Sequence, residues 1–202
     1  TVATDDSRIF DALAPHGAQV LMTDPAHPSG TDRLAEVARL RDWSMDAIIV
    51  NLQGDEPLMP VANLEQVSAL LGRYKHASIA TLYEPIVSKE QFVDPSVVKV
   101  VGDASGRAQY FSRAPIPHVR DPMGETCPHD ARRHIGLYAY RVSYLEDFAS
   151  QPVAPYERLE SLEQLRALHC GHEIRIVQAC EVVPAGVDTP ADLEAVRALM
   201  AT

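Results

Sequence analysis

Residues 46–60, D-A-I-I-V-N-L-Q-G-D-E-P-L-M-P, constrain the fold more than any other stretch of the chain. Residues 47–50 are an apolar run with no polar alternation. A strand covered by helices on both faces carries such a run, whereas a half-exposed strand alternates. The run breaks at Gly54, and the carboxylates of Asp55 and Glu56 follow before Pro57 stops regular structure. Ligands of open α/β sheets gather at the carboxyl ends of the strands. Paired acids there, beside the Gln53 amide and a turn glycine, suit a hard cation carrying nucleotide phosphates. Read locally, the same residues equally describe a solvated acidic turn, since acids are common in turns.

Around this stretch the pattern alternates between strand and helix. Residues 1–4 end a strand, Asp5 and Asp6 cap a short helix with Ile9, Phe10 and Leu13 on one face, and residues 19–22 form the next strand. Residues 24–29 are a turn-rich loop in which His27 is expected to be exposed. The helix after it is capped by Ser29 or Thr31 and carries Leu34, Val37 and Ala38 at helical spacing. Its N-terminus and Arg33 together offer donors to an anion. A helix over 61–71, a strand over 77–83 and a hairpin with strands at 97–101 and 107–111 follow. Residues 113–128 are Pro-rich and irregular, long enough for a binding loop or an oligomer contact. Strand 134–140 and helix 144–148 come next. Residues 156–169 read as one amphipathic helix burying Leu159, Leu162, Leu165 and Leu168. Strand 173–179 precedes a last helix that starts at Pro190 and turns Leu193, Val196 and Leu199 inward. The expected class is therefore α/β: a three-layer domain with a mainly parallel sheet and a small β insertion at 97–111.

The 202 residues and 46% hydrophobic content allow one domain, 1–202, with a sizeable core. A net charge of −10 argues against nucleic acid as a partner. No apolar run approaches membrane-spanning length. The three cysteines, Cys127, Cys170 and Cys180, are odd in number and lack zinc-ligand spacing, which fits a reducing cytoplasm. His169 and His172 flank Cys170-Gly171, a sequence read as a helix end with a glycine stop in preference to a metal site.

Several motifs then occur in order: S-G-T-D-R at 29–33, Q-G-D-E-P at 53–57, V-V-K-V-V at 97–101, Y-F-S-R-A-P-I-P at 110–117, R-H-I-G-L-Y-A-Y-R at 133–141, L-E-Q-L-R at 162–166 and G-V-D-T-P at 186–190. Together they resemble the 3-deoxy-manno-octulosonate cytidylyltransferase family over nearly the whole chain. The related sialic-acid cytidylyltransferases are less similar at the Q-G-D-E-P turn. The resemblance implies a nucleotidyltransferase fold of the nucleotide-diphospho-sugar transferase type. It implies transfer of a cytidylyl group from CTP to 3-deoxy-D-manno-octulosonate with release of pyrophosphate, in lipopolysaccharide biosynthesis. It implies Mg2+ as cofactor, held by Asp55 and Asp188 with phosphate oxygens, and a homodimer. By the same resemblance Arg113, His134, Tyr138, Glu163 and Gln164 match positions that contact the sugar acid, and Ser29, Arg33 and Gln53 match positions near the nucleotide. Local reading alone makes Asp188 a turn residue ahead of a helix, Arg113 a surface arginine, His134 and Tyr138 strand residues, and Glu163 and Gln164 part of a solvated helix face.

The family's N-terminal strand and its basic phosphate-cradling loop have no counterpart here, so the expectation is an N-terminally incomplete domain that does not turn over by itself. A non-catalytic remnant that binds sugar acid or a partner is the alternative. Presence of both Asp55 and Asp188 favours the enzyme, because a binding remnant has no need of two metal acids.

Overall fold

The computed structural model describes residues 1–120 and 127–200. Its chain, read above as one domain, resolves into two compact units, Thr1–Ala47 with Arg141–Pro152 and Ile48–Tyr140 with Val153–Thr202.

In the smaller unit, β1 (Val2–Thr4) pairs in parallel with β2 (Val20–Met22), in register from Val2 opposite Val20 to Thr4 opposite Met22. Parallel neighbours need a crossover, supplied here by α1 (Ser7–Leu13). The Asp6 carboxylate accepts from the Arg8 amide to start that helix. The apolar residues of α1 are present as expected but not buried: Ile9 and Phe10 are both exposed. α2 (Gly30–Leu40) is capped by Ser29, whose hydroxyl accepts from the Asp32 amide at 3.2 Å. It buries Thr31, Ala35, Val37 and Ala38 and packs on α5 (Val142–Ser150), which buries Tyr144, Leu145 and Phe148.

The larger unit is built on a six-stranded mixed sheet. Its strands are β3 (Ile48–Asn51), β4 (Ile79–Pro85), β5 (Lys99–Gly102), β6 (Ala108–Ser112), β7 (Arg132–Arg141) and β8 (Ile174–Gln178). Their order is β6-β5-β7-β4-β8, and β3 also pairs with β7. The expected parallel pairing holds where β4 meets β8, and also at β1 and β2 of the other unit. β7 brings antiparallel pairing into the middle of the sheet, since it runs against both β4 and β5. The hairpin anticipated at 97–111 is β5 and β6, antiparallel from Lys99 opposite Ser112. The core joins Val67 and Leu71 of α3 (Val61–Arg73) to Ala80 and Leu82 of β4 and to Ile135, Leu137 and Ala139 of β7. In the β4–β7 ladder, Thr81 faces Tyr138 while Leu82 faces Ile135, so β7 carries Gly136 and Leu137 in a bulge.

Three expectations change. Residues 156–169 are two helices, α6 (Pro155–Glu160) and α7 (Gln164–His169), broken at Ser161, which sits in the left-handed region at φ 52°. The break turns Leu159 out to 85% exposure while Leu162 and Leu165 stay buried, so the leucine spacing does not describe one continuous face. In α8 (Pro190–Met200) only Val196 is buried, and Leu193 and Leu199 are exposed. A short helix not read from the sequence, α4 (Lys89–Val93), buries Phe92 and is capped by Ser88 accepting from the Gln91 amide. Its S-x-x-Q start is a helix-opening signal.

Candidate active site

After β3 the chain leaves the sheet at the acidic turn. The Glu56 amide donates to the Gln53 carbonyl at 3.2 Å and the Met59 amide to the Glu56 carbonyl at 3.3 Å, while the buried Met59 side chain anchors the exit. Gln53 and Asp55 are exposed. A second turn, residues 186–188, is laid against this one: the Val187 amide donates to the Asp55 carbonyl at 2.8 Å. The approach needs a glycine, because a Cβ on Gly186 would lie 3.0 Å from the Asp55 carbonyl oxygen and 3.3 Å from Glu56 Oε1. Asp188 then leads into α8, whose start is capped by Asp192 Oδ2 accepting from the amides of Asp188 and Thr189.

Glu56 is pushed above the usual carboxylate range first by burial and then by the negative charge of Asp55; Asp188 adds to the push and Arg133 opposes it. Among the described residues no three His, Cys, Asp or Glu side chains converge as a complete ligand set.

What holds the second turn in place was not anticipated. Asn63 of α3, fully buried, donates to the Glu181 carbonyl at 2.9 Å and accepts from the Glu181 amide at 3.0 Å. Gln66 accepts from the Cys180 amide at 3.0 Å. Glu84 of β4 accepts from the Val183 amide at 2.8 Å and from Arg133, whose Nη2 lies 2.7 Å away. The Arg133 in the R-H-I-G motif was the available signal; Asn63, Gln66 and Glu84 lie in no motif.

The residues matched to the sugar acid gather around β6, β7 and α7. Arg113 follows β6 directly. Its Nε donates to the Glu160 carbonyl at 2.8 Å and its Nη1 to the Pro95 carbonyl at 3.1 Å. The Glu160 carboxylate in turn accepts from the Arg113 amide and the Ser112 hydroxyl. Lys99 of β5, fully buried, donates its ammonium to the carbonyls of Arg113, Val97 and Asp94 at 2.6–2.8 Å, and burial pulls its pKa down. The arginine in question is thus aimed by its main chain and not left on a free loop.

His134 of β7 packs against the Phe111 ring, centroids 5.1 Å apart, and against Tyr138 at 5.2 Å, while Tyr138 stacks on Tyr140. Glu163 is the residue that opens α7, and Gln164 is buried. In the smaller unit, Ser29 caps α2 as the local reading had it. Arg33 reaches the carboxyl ends of both strands, donating Nη2 to Asp5 Oδ2 at 2.8 Å and Nη1 to the Thr23 hydroxyl. The loop at 113–128 is described only in part, since 121–126 lie outside the described residues. His27, expected to be exposed, is mostly buried and pairs with Glu36. Cys170 and Gly171, with φ 82°, close α7 as a helix stop. A polar cleft of about 350 Å³ at Arg107, Gln109, His172 and Glu173 includes none of the candidates. Its side chains are tied to neighbours: Arg107 to Asp103, His172 to Ser78, Glu173 to Arg175.

Burial depresses the His134 pKa from 6.5 to about 3. A folded pKa below the unfolded one gives stability that is full above about pH 6.5 and lost progressively as pH falls towards about 3. In urea unfolding between pH 7 and 4, wild type is expected to lose stability faster than His134→Gln, with the two curves parallel above pH 7. Equal slopes throughout would mean that the folded His134 titrates as it does in the unfolded chain.

A family profile described as "Cytidylyltransferase" matches residues 1–174. A 3-deoxy-manno-octulosonate cytidylyltransferase of Saccharophagus degradans is 51% identical over 98% of this chain and 80% of its own length. One of the same description from Chromohalobacter salexigens is 53% identical over 99% of this chain and 79% of its own. The solved structure of a CMP:2-keto-3-deoxy-manno-octonic acid synthetase complexed with CTP superposes with a TM-score of 0.88 and 41% identity, over 99% of this chain and 79% of that one. A 4-diphosphocytidyl-2C-methyl-D-erythritol synthase, 11% identical at a TM-score of 0.57, is similar in fold alone.

Proposed function

We infer, because the chain belongs to the cytidylyltransferase family, that it transfers the cytidylyl group of CTP to 3-deoxy-D-manno-octulosonate, giving the CMP-sugar and pyrophosphate. The fold that carries this activity is the three-layer α/β nucleotidyltransferase fold with a mixed sheet. The observation that best supports the reading is the main-chain joint between turns 186–188 and 53–56, where the Val187 amide donates to the Asp55 carbonyl.

The chemistry asks mainly for position and charge. The sugar's anomeric hydroxyl attacks the α-phosphorus of CTP in line. Its oxygen bonds to phosphorus and gives up its proton to water as the bond to the pyrophosphate oxygen breaks, and pyrophosphate leaves with that electron pair. Such a reaction needs aligned reactants and neutralised phosphate charge more than covalent help. Exposed carboxylates such as those of Asp55 and Asp188 are the oxygen ligands a hard cation takes together with phosphate oxygens, and magnesium is the cofactor we assign to these two. Bound there, magnesium would neutralise the triphosphate and polarise the phosphorus under attack. Asp55 and Asp188 would hold it; Gln53, Ser29 and Arg33 are assigned to the nucleotide. Arg113 is assigned to the sugar carboxylate, with His134, Tyr138, Glu163 and Gln164 on the sugar. Two of the guanidinium donors of Arg113 are committed to main-chain carbonyls, which fixes the plane it presents to a carboxylate. A cytoplasmic homodimer serving lipopolysaccharide synthesis completes the reading. Among the described residues no helix is long and apolar enough to cross a membrane.

The test is pyrophosphate release from CTP with the octulosonate and magnesium, each substrate varied in turn, on a chain that also carries the N-terminal strand and basic loop expected of the family. Arg113→Ala should raise the KM for the sugar acid on the order of tenfold or more, since a charge-assisted contact is lost, and leave that for CTP nearly unchanged. An equal rise for both substrates would move Arg113 to the phosphates. No pyrophosphate release from any sugar acid would sink the activity itself.

A further inference from the structure

Thr81, on β4, is buried and appears in none of the motifs above, yet its hydroxyl has three close neighbours. They are the Ile135 carbonyl at 2.9 Å, the Leu137 carbonyl at 2.8 Å and His134 Nε2 at 3.0 Å. A threonine hydroxyl has one proton to donate and lone pairs that accept. Carbonyl oxygens only accept, so the proton must go to one of the two that line the β7 bulge. Were it turned to Nε2, two carbonyls would face a hydroxyl oxygen at close range with no hydrogen between, inside a buried site where such an arrangement is costly. What Thr81 offers His134 is therefore a lone pair, and Nε2 must carry a hydrogen to use it.

We propose that Thr81 is a positioning residue that locks His134 as the neutral Nε2–H tautomer, so that Nδ1 presents its lone pair to a hydroxyl of the sugar substrate. The ring is fixed by the Phe111 and Tyr138 contacts, and the His134 amide donates to the Val98 carbonyl at 2.8 Å. Neither the plane nor the proton of the imidazole is then left free. The bulge is what makes the lock: it puts the Ile135 and Leu137 carbonyls on the same threonine oxygen. The sugar's hydroxyl, a donor, meets an acceptor already in place, which lowers the ordering cost of binding. This rests on the assignment of His134 to the sugar acid.

The tautomer is read directly from 15N shifts of the imidazole nitrogens in the full chain at neutral pH, with His134 identified by its loss in His134→Gln. A protonated Nε2 and an unprotonated Nδ1 are expected in wild type and in Thr81→Ser, which keeps the hydroxyl. Thr81→Val should mix the tautomers and raise the KM for the sugar acid about tenfold, the worth of one hydrogen bond in a closed site, with little change in the KM for CTP. Thr81→Ser should restore both. An Nδ1–H tautomer in wild type would overturn the proposal even if Thr81→Val fails to fold. If His134→Gln still loses sugar affinity in that case, the sugar assignment stands without the lock. A tautomer as proposed, with sugar KM unmoved in both Thr81→Val and His134→Gln, would overturn the acceptor role and remove His134 from the sugar site.

Discussion

In an enzyme that carries the family's N-terminal strand and basic loop, replacing Asp55 by Asn is expected to lower kcat at least a hundredfold while leaving the thermal midpoint almost where it was. Asp188→Asn is expected to do the same. Both side chains are exposed on turns, so neither substitution empties a packed space. Electrostatic stabilisation lost where charge develops in a phosphoryl transfer is commonly worth two to three orders of magnitude. The main-chain contact that joins the turns, Val187 amide to Asp55 carbonyl, survives both changes, so the geometry is kept while the charge is removed. The check is kcat against magnesium concentration for each variant alongside its melting curve. Near-normal turnover in either would remove that acid from the metal site, and a large fall in melting temperature would reassign it to the fold.

The largest effect on stability is expected away from the acids, at the joint between α6 and α7. Arg166 donates to both carboxylate oxygens of Glu157, at 2.6 and 2.9 Å, and both side chains are about 7% exposed. Glu157 also accepts from the Ala154 amide at 2.9 Å, closing the start of α6. Removing one partner leaves the other charge buried without compensation, which costs about 3–5 kcal/mol. Glu157→Ala and Arg166→Ala should each lose that much in urea unfolding. The apolar pair Glu157→Leu with Arg166→Met should recover much of it, because neither charge is then stranded. Single variants within 1 kcal/mol of wild type would show that water reaches the pair.

Much of this was written locally in the chain. The Ala47–Val50 run, the Gly54 break and the caps at Asp6 and Ser29 each depend on a few neighbouring residues, and each is found where the pattern puts it, within a residue or so. The acidic turn at Asp55 and Glu56 could be placed at a strand end for the same reason. What could not be read is set by side-chain partners that no local pattern announces, some nine residues away and some more than a hundred. The break at Ser161 lies between the paired Glu157 and Arg166, and a leucine repeat carries no sign of either. The seating of Asp188 depends on Gly186 meeting Asp55, and on Asn63 and Glu84 gripping residues 181 and 183. His27 looked exposed from its prolines, but Glu36 lies one element on and draws it in.

The position of β7 also bears on how the molecule is made. It is the strand against which β3, β4 and β5 all pair, and β4 gains its other neighbour only from β8. On a ribosome, then, most of the sheet is synthesised before the strand that unites it. Until residue 141 has emerged, the β5–β6 hairpin of this sheet can form its ladder, while the apolar segments 48–51 and 79–85 wait with open edges. Contacts this distant in sequence slow folding, because the intervening chain must be closed into loops before any pairing rewards it. The interval between synthesis of β4 and arrival of β7 is therefore when this chain is most open to aggregation and to chaperones.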